Sequence, residues 1–528
     1  MTANVPRYDR WKAPAEDGQT LIWPAPDQIL RETTENNQSL SGGTARVQNV
    51  PLSQVRKALR SAIGHTDNNQ PIIATGHQAE LHHPGVWVKN AMIDAVASKI
   101  GGRALHIAVD TDEPKHLDLR WPGGSVSIVS KEHAQSAWSG LLAAPTKQQI
   151  DSIEADFRNA AKDWHFEPVV QPFLDLLAKN SGWHGLVLLP VPGAQKRGQE
   201  YLPMPPKDAS EPSATLPAAL TTALRELDGQ LGLRYEAKLF GPICSQEPYL
   251  LFVHHILSHA DAFATDYNAA IEEYRRENHI RTPGRPIPML KVDAQQIEVP
   301  FWLDDLGKGR RTRGMVLPTP GGFTLQSADG ERFTCRPDAD GWKAASDLLQ
   351  WLQAHNLRLS PRALTLTAVL RLLIADEFVH GIGGGQYDQV LDKLIWRHFG
   401  IKPPAFCVTT ATMYFPEAVG QARVCLPCIK QEGHRLRHGA LGEQKKQMLA
   451  AIEAAPRNSL QRAELFAQMH EKLDAAGASQ IQQWEQRYSD ALQKAQDQRI
   501  IFDRELFYAI QPRERLEAMI EKYRSAFV

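Results

Sequence analysis

Two clusters of polar residues follow apolar segments that have the length of buried strands. Residues 75–78 read Thr-Gly-His-Gln after residues 71–74, and residues 110–112 read Asp-Thr-Asp after residues 104–109. In open parallel sheets, ligands bind outside the carboxyl ends of the strands, so both clusters are expected to line one crevice. A histidine there would stabilise charge in a transition state, and a carboxylate would orient or deprotonate an amine. The predicted catalytic residues are His77, Asp110 and Asp112.

The segment that follows the first cluster predicts an anion site. Residues 82–85 read His-His-Pro-Gly and precede a predicted helix over residues 86–100, whose N-terminus favours negative charge. Imidazolium groups there would stabilise a phosphate or carboxylate. The alternative is a polar loop in which the histidines are only hydrogen-bonded, and the two aspartates of the second cluster could likewise form a plain acidic turn. The residues predicted to bind substrate or nucleotide here are Thr75, Gly76, Gln78, His82, His83, Gly85 and Lys89.

A glycine-rich segment over residues 381–385 separates two predicted helices. Its backbone N–H groups would form an anion-binding concavity, although the lysine and the serine or threonine of a P-loop are missing. The alternative is a tight turn where the second helix approaches the sheet. The residues predicted to bind ligand in this segment are Gly383, Gly384, Gly385, Tyr387 and Asp388.

A third pattern lies nearer the C-terminus. Cys425 and Cys428, followed by His434 and His438, have the spacing of a compact zinc site. We favour an incidental pair of buried or reduced cysteines over zinc. A thiol-redox role ranks lower still, because no strand–helix pattern of the thioredoxin type precedes the pair. We therefore predict no metal site, and the alternative is a zinc site formed by these four residues.

The elements that position these residues predict an α/β fold with a Rossmann-like parallel-sheet core, an inserted α+β region and a C-terminal helical, coiled-coil-like arm. A third core strand is predicted at residues 186–189, and a helix is predicted to start at Ser360-Pro361. The predicted arm contains separate helices over residues 441–454, 459–475 and 479–502. The predicted divisions are an N-terminal arm (1–69), the core (70–200 and 346–432), the inserted region (201–345) and the helical arm (433–528).

The composition excludes several classes of function. The 59 basic and 60 acidic residues leave a formal charge of -1, which gives no overall attraction to nucleic acid or to an anionic membrane. Five cysteines fit a reducing compartment, and the apolar runs fall short of the ~20 residues that span a bilayer. We expect a cytoplasmic protein without nucleic-acid or membrane partners, and we interpret the basic residues 310–313 as a solvated loop.

In their order along the chain, these segments resemble the cysteine-adding enzymes of bacillithiol biosynthesis, the BshC family. Residues 75–79 match that family's Thr-Gly-Gln-Gln-Ala turn except at His77, and residues 109–112 stand at its Glu-Asp-His-Asp loop, with Val109 and Thr111 in place of the glutamate and histidine. Residues 383–385 occupy the place of its Gly-Gly-Pro-Gly turn, without the proline, and His398-Phe399-Gly400 ends the next helix as in the family. The helical arm resembles the family's coiled-coil dimerisation domain.

The resemblance implies a ligase that joins cysteine, or a similar amino compound, to a malyl-glucosamine-like acid. It implies cysteine and a sugar acid as substrates and a homodimer formed through the arm. The energetics of joining an acid to an amine, together with the nucleotide-binding look of the predicted core, imply ATP or ADP with magnesium; zinc is not expected. Two other functions remain open. One is a non-catalytic protein that binds a nucleotide or a sugar phosphate, and the other is a nucleotidylyl transferase that shares the core fold.

Overall fold

The computed structural model describes residues 11–67, 69–129, 136–182, 214–282, 284–285, 287–335, 340–439 and 441–528. The chain divides into two compact units, Met1–Met413 with Arg504–Val528, and Tyr414–Asp503. The strand predicted at residues 186–189 lies outside the described residues. The second unit begins before the predicted arm boundary at residue 433, and the last helix of the chain returns to the first unit.

The first unit contains all of the described strands. They are β1 (Thr20–Trp23), β2 (Arg46–Val47), β3 (Val50–Pro51), β4 (Ile72–Gln78), β5 (Arg103–Val109), β6 (Asp118–Trp121), β7 (Gly124–Ser127), β8 (Glu236–Leu239), β9 (Ile297–Asp305), β10 (Arg310–Thr319), β11 (Gly322–Gln326), β12 (Arg332–Cys335), β13 (Leu357–Pro361), β14 (Glu377–His380) and β15 (Cys407–Ala411).

Helices pack around these strands, and three further helices form the second unit. Those before the second unit are α1 (Pro26–Gly42), α2 (Leu52–Ala62), α3 (Pro84–Ile100), α4 (Lys147–Ala161), α5 (Val170–Ser181), α6 (Leu216–Gln230), α7 (Glu247–Ser258), α8 (Ala260–Glu277), α9 (Gly341–Ala354), α10 (Ala363–Val369) and α11 (Ile382–Leu394). The second unit contains α12 (Leu426–Gly439), α13 (Gly442–Ala454) and α14 (Leu460–Ile501), and α15 (Arg513–Ala526) follows in the first unit. Wider π-helical turns, Leu370–Ile374 and Ile395–Phe399, extend α10 and α11.

The core of the first unit is a six-stranded sheet in the order β1-β15-β14-β4-β5-β8. Its last five strands are parallel, and β1 joins the edge antiparallel to β15. The predicted α/β fold with a parallel-sheet core is therefore confirmed. From β4, the chain extends the sheet on one side through β5 and β8 and later on the other side through β14 and β15. The strand β8 comes from the region predicted as an insertion.

A second, antiparallel sheet has the order β12-β11-β10-β9-β13. Its strands β9 to β12 lie within the predicted α+β insertion. The helix predicted to start at Ser360-Pro361 is present as α10, but its predicted start is wrong, because both residues end β13 and pair with Trp302 and Phe301. The Ser360 hydroxyl donates to Asp304 of β9 at 2.7 Å, a tertiary hydrogen bond that outweighs the local helix-start pattern.

The turn predicted at residues 75–78 is also wrong, because these residues continue β4. Each of them pairs with β5, from Thr75 opposite His106 to Gln78 opposite Val109. Gly76 permits the close approach of the two strands, since a Cβ atom there would lie 3.3 Å from the Ile107 carbonyl oxygen. The predicted helix over residues 86–100 is confirmed, and Gly101 ends it at a φ of 67°.

A buried ion cluster closes the amino ends of the two central strands. Asp376, just before β14, accepts hydrogen bonds from Arg56 and Arg60 of α2 at 2.6 Å each and from the Ile72 amide of β4 at 2.7 Å. Asn37 of α1 donates to the same carboxylate at 3.0 Å. Burial by itself raises the pKa of Asp376, but the charges of Arg56 and Arg60 outweigh it and hold that pKa below its usual value.

The substitution Asp376→Asn is expected to lower the free energy of unfolding by about 3–5 kcal/mol, because two buried guanidinium groups lose their counter-charge. Urea denaturation measures the change. Asp347→Asn is the matched control, since Asp347 is an exposed partner of Lys343 and its loss is expected to cost less than about 1 kcal/mol. A loss for Asp376→Asn no larger than the control would contradict the structural role of this cluster.

The second unit is built on the continuous helix α14, against which α12 and α13 pack. The sequence predicts a break between two helices at residues 476–478, and this prediction is wrong, because α14 continues through these residues. A single glycine costs only about 1 kcal/mol in a helix interior and does not end the helix. The Trp484 indole donates to the Ile429 carbonyl at 2.8 Å, and a Cβ atom at Gly433 would lie 2.3 Å from the same ring. Across the described ranges, no helix is both long enough and apolar enough to cross a membrane.

Candidate functional site

Three histidines form a contiguous cluster at the carboxyl end of β4. The His77 and His82 ring centroids are 5.3 Å apart, and those of His82 and His106 are 5.6 Å apart. We call His77, His82 and His106 the histidine cluster. Residue His77 comes from β4, His82 from the connection to α3, and His106 from the neighbouring strand β5. Neighbouring parallel strands thus bring together residues that are 29 positions apart in the sequence.

Each ring of the cluster has a defined neighbour. The His82 Nε2 atom lies 3.2 Å from the Gln78 carbonyl oxygen, and His106 Nδ1 lies 2.8 Å from the Asn90 Oδ1 atom. The His77 Nδ1 atom lies 3.2 Å from a Glu80 carboxylate oxygen, yet it has no hydrogen-bond partner among the described residues. With 23% of its side chain exposed, His77 is the member of the cluster that a ligand can reach.

The histidine cluster is uncharged at neutral pH. Burial lowers the pKa of His77 and His106 well below the usual value, and it lowers the pKa of His82 to about 4. The nearby charge of Lys89 lowers all three pKa values further. The expected imidazolium donors are therefore neutral imidazoles, which can each donate one hydrogen bond and accept another.

Lys89 is the cationic member of the site. It is 3% exposed, projects from α3, and donates from Nζ to the Gly76 carbonyl oxygen at 2.8 Å. Burial lowers its pKa to about 7, and the Glu80 carboxylate offsets part of that shift. Burial also raises the pKa of Glu80. A lysine with a pKa near neutrality can accept or release a proton at physiological pH.

Behind the cluster, a buried carboxylate holds α3 in place. Asp228 of α6 accepts hydrogen bonds from four side chains at distances between 2.6 and 3.1 Å; the donors are Trp87, Asn90, Tyr235 and Tyr508. Asn90 in turn holds the His106 ring, so this carboxylate positions the cluster indirectly. A cavity of about 10 Å³ between His82, His106 and Tyr235 has room for one water molecule.

Several of these supporting residues are not among those predicted from the sequence. His106 and Asn90 are polar residues inside apolar segments, which is a sequence signal of a buried polar contact. Asp228 and Tyr235 carry no such signal, because they approach α3 only through the tertiary fold. Glu80 stands two residues after the first polar cluster.

The two polar clusters do meet, through Gln78 and Asp112. The Gln78 side-chain amide donates to the Asp112 carboxylate at 2.8 Å, and Asp112 remains partly exposed. Asp110 faces elsewhere. Its carboxylate accepts the Gly241 amide at 2.6 Å in a buried position, and burial raises its pKa. The expected alignment of Asp110 and Asp112 on one ligand is therefore wrong, since the two carboxylates have different partners.

Two arginines lie near the second polar cluster: Arg358 of β13 acts on the Asp110 carboxylate, and Arg311 of β10 donates to the Thr111 carbonyl at 2.9 Å. Arg358 and Arg311 both donate to the buried Asp304 carboxylate, at 2.9 Å and 3.1 Å. Both guanidinium groups lie over the Trp138 ring, at 5.3 Å and 5.0 Å from its centroid. The interpretation of residues 310–313 as a solvated loop is therefore wrong for Arg311, whose side chain is only 10% exposed.

At the start of α3, the chain supplies its own hydrogen-bond acceptors. The His83 ring accepts the Gly85 amide at 3.1 Å, and the His83 carbonyl accepts the Val86 and Trp87 amides at 2.9 Å each. Burial lowers the pKa of His83 to about 3, so the ring acts as a neutral cap. A Cβ atom at Gly85 would lie 2.6 Å from Thr410 Oγ1, so this glycine is required by packing.

Thr75 also has a structural partner. Its hydroxyl donates to the Val379 carbonyl of β14 at 2.8 Å, and its side chain is fully buried. This bond ties β4 to β14 just before both strands end. Of the first polar cluster, His77 and Gln78 have partly exposed side chains at the carboxyl end of β4, whereas Gly76 contributes its carbonyl to Lys89.

The glycine segment forms the first turn of α11, with Gly381 as the cap residue. A Cβ atom at Gly384 would lie 2.7 Å from the His380 ring, and one at Gly385 would lie 2.6 Å from Val408, so both glycines serve close packing. A Cβ atom added at Gly383 would have no atom of the described residues within 4 Å beyond its chain neighbours and its own helix backbone. Val379 of β14 pairs with Thr75 of β4. The helix α11, which follows β14, therefore begins beside the strand that carries His77.

Tyr387 and Asp388 point in different directions, so the expectation that both approach one ligand is wrong. Tyr387 is 45% exposed, whereas Asp388 is 1% exposed. The Asp388 carboxylate lies 2.7 Å from His380 Nε2 and 2.9 Å from the Arg371 guanidinium. Burial by itself raises the pKa of Asp388, but the charges of His380 and Arg371 hold it below its usual value. Asp388 therefore anchors α11 to the sheet.

The cysteine pair is not reduced in the structure. Cys425 and Cys428 form a disulfide, which leaves no thiolate for zinc, and the His434 and His438 rings lie 4.4 Å apart on α12. Within the described ranges, no group of three or more histidine, cysteine or acidic residues is arranged to hold a metal ion. The favoured interpretation of reduced cysteines is therefore wrong.

Comparison of the sequence with models of protein families finds no match, and comparison with curated proteins finds none at a significant level. The functional argument therefore rests on the residues and geometry of this chain.

The substitution Lys89→Met tests the shifted lysine. Between pH 7 and pH 10.5 the unfolded chain retains a lysine proton that the folded protein has released. The free energy of unfolding of the wild type is therefore expected to rise relative to the variant by up to about 1.4 kcal/mol per pH unit in that window. Urea denaturation at several pH values measures this difference. Lys99→Met, at an exposed lysine of the same helix, is the control, and a flat difference for Lys89→Met would contradict the assignment.

Proposed function

We propose that the protein is an enzyme, a ligase of the cysteine-adding type, which joins cysteine or a similar amino compound to a malyl-glucosamine-like acid. The observation that carries the proposal is the buried Lys89, whose pKa is lowered to about 7 beside the histidine cluster. Formation of an amide requires the attacking amine to lose a proton near neutral pH, and a group with such a pKa is suited to accept it.

The remaining groups of the site have roles in this proposal. His77 would contact the acid through the exposed part of its ring, since 23% of its side chain is exposed. Gln78 and Asp112, joined at 2.8 Å, would orient the amine through the carboxylate lone pairs that Gln78 leaves open. Glu80 would take part in proton exchange with Lys89, since burial raises its pKa.

The proposal includes ATP or ADP with magnesium. The parallel strands follow the order β8-β5-β4-β14-β15, which is the arrangement of Rossmann-like sheets that bind nucleotides where the strand order reverses. That reversal lies between β4 and β14, and α11 begins directly after β14. The free amides at the start of this helix, where Gly383 lies in the first turn, would favour a phosphate group. A bound nucleotide would supply the activation of the acid, and magnesium would accompany its phosphates.

A cytoplasmic homodimer formed through a coiled-coil arm also belongs to the proposal. It is supported by large apolar side chains that the second unit leaves exposed on α13 and α14, at 37% for Leu449, 49% for Phe466 and 43% for Leu492. Exposed apolar residues repeated along helices are typical of helix–helix interfaces between subunits.

The substitution His77→Ala is expected to lower turnover about tenfold or more, because it removes a hydrogen bond to the reacting acid. Mass spectrometry of the product formed from malyl-glucosamine, cysteine and magnesium, with and without ATP, measures the effect. His165→Ala, at an exposed histidine, is the matched control.

Unchanged kinetics in His77→Ala would remove this residue from the mechanism. Absence of product with the wild type, together with a thermal shift on adding nucleotide, would replace the ligase by the non-catalytic nucleotide-binding protein.

A further inference from the structure

The disulfide of the second unit stands at the start of a helix. Cys425 directly precedes α12, and its carbonyl oxygen accepts the Ile429 amide at 3.2 Å, as the residue that caps a helix does. Cys428 lies in the first turn, and its amide donates to the Cys425 sulfur at 3.3 Å. Both cysteines are exposed. Helix N-termini stabilise thiolates, so this position favours the reduced form of either sulfur as an anion.

The segment that leads into Cys425 is held by a buried glutamine. Gln498 of α14 is 5% exposed, accepts the Val424 amide at 3.0 Å and donates to the Ala422 carbonyl at 3.2 Å. The two ends of one side-chain amide thus fix the backbone on both sides of Arg423. This support does not involve the disulfide, so the segment stays positioned when the sulfur–sulfur bond is open.

A cavity of about 520 Å³ opens beside Cys425. Its wall includes Arg423 and Arg499 together with the apolar side chains of Val424 and Leu426, whereas Cys428 does not line it. The volume suits a small organic molecule, and the two guanidinium groups suit carboxylates. A molecule in this cavity would therefore meet the Cys425 sulfur first.

We propose that Cys425 and Cys428 form a redox-active disulfide that exchanges with a low-molecular-weight thiol carrying carboxylates. The proposal does not depend on the ligase function, because every residue it uses belongs to the second unit. The alternative is a permanent disulfide that only fixes the first turn of α12.

The exchange is a two-electron reaction in two steps. A thiolate in the cavity attacks the Cys425 sulfur, the sulfur–sulfur bond breaks, and its electron pair leaves with Cys428 as a thiolate in the first turn of α12. A second small thiolate then attacks the external sulfur of the mixed disulfide. This step releases the small-molecule disulfide and leaves Cys425 as a thiolate that accepts the Cys428 amide. Two thiolates are oxidised to one disulfide, and the protein disulfide is reduced to two thiolates.

The other three cysteines are less accessible to a small thiol than this pair. Cys244 and Cys407 are buried, and burial raises the pKa of Cys244 to about 12. Cys335 is partly buried and lies 3.0 Å from the His254 ring. Peptide mapping separates its signal from those of Cys425 and Cys428.

The first experiment uses the full-length wild type in buffers of reduced and oxidised glutathione, with alkylation and mass spectrometry as the readout. We expect reversible reduction of Cys425–Cys428 while circular dichroism shows a folded protein. The Cys428→Ser variant should accumulate a mixed disulfide on Cys425, and Cys425→Ser should accumulate at least tenfold less on Cys428. A disulfide that stays oxidised in excess reduced glutathione, or an adduct that prefers Cys428, would overturn the proposal.

The second experiment tests the charge of the cavity. Arg423→Gln and Arg499→Gln are each expected to slow reduction by glutathione about threefold, because each removes a partner for its carboxylates. Reduction by the neutral thiol 2-mercaptoethanol should keep its rate. Arg435→Gln, at an exposed arginine of α12, is the control. Equal slowing with both thiols, or no slowing with either, would overturn the selection for carboxylate-bearing thiols.

Discussion

The Asp376 carboxylate joins three elements at the amino ends of the central strands. It binds two arginines of α2, the first amide of β4 and a side chain of α1, all in the interior of the first unit. The same arginines bind the backbone carbonyls of Leu372, Ile374 and Ala375, which end the helical segment before β14. A shift of β14 along β4 would separate the Asp376 carboxylate from these partners. A buried charge without partners is strongly destabilising, so these bonds fix the register of the two strands.

This fixed register decides what lies at the other ends of the same strands. The Thr75 hydroxyl bonds to Val379, the last residue of β14 that pairs with β4, and the side chain of His77 and the start of α11 follow these two residues along their strands. Among the described residues, Lys89 has no carboxylate in hydrogen-bond contact, and burial therefore lowers its pKa. The sheet thus combines a closed, charged end with an end at which protons can be exchanged.

Local patterns predict much of this fold. The helical spacing of apolar residues predicts α3, and the change in composition predicts an inserted α+β region where β9 to β12 lie. Prediction fails where distant residues decide, as at Ser360, whose partner Asp304 lies 56 positions away, and at Asp110, whose partner Gly241 lies 131 positions away. The strand β8 has only four residues, Glu-Ala-Lys-Leu, so its alternation of polar and apolar residues is a weak signal in the sequence. Lys89 is predicted from the sequence as a ligand-binding residue, but its lowered pKa follows from burial, which is a property of the tertiary fold.

If the carboxyl ends of β4 and β14 bind the acid substrate, as proposed, a crystal structure of the protein with malyl-glucosamine will place it there. We expect a ligand carboxylate about 3 Å from the His77 ring, with the remainder of the molecule extending toward Gln78 and Asp112. A ligand bound elsewhere, without contact to the His77 ring, would show that these strand ends are not the binding site.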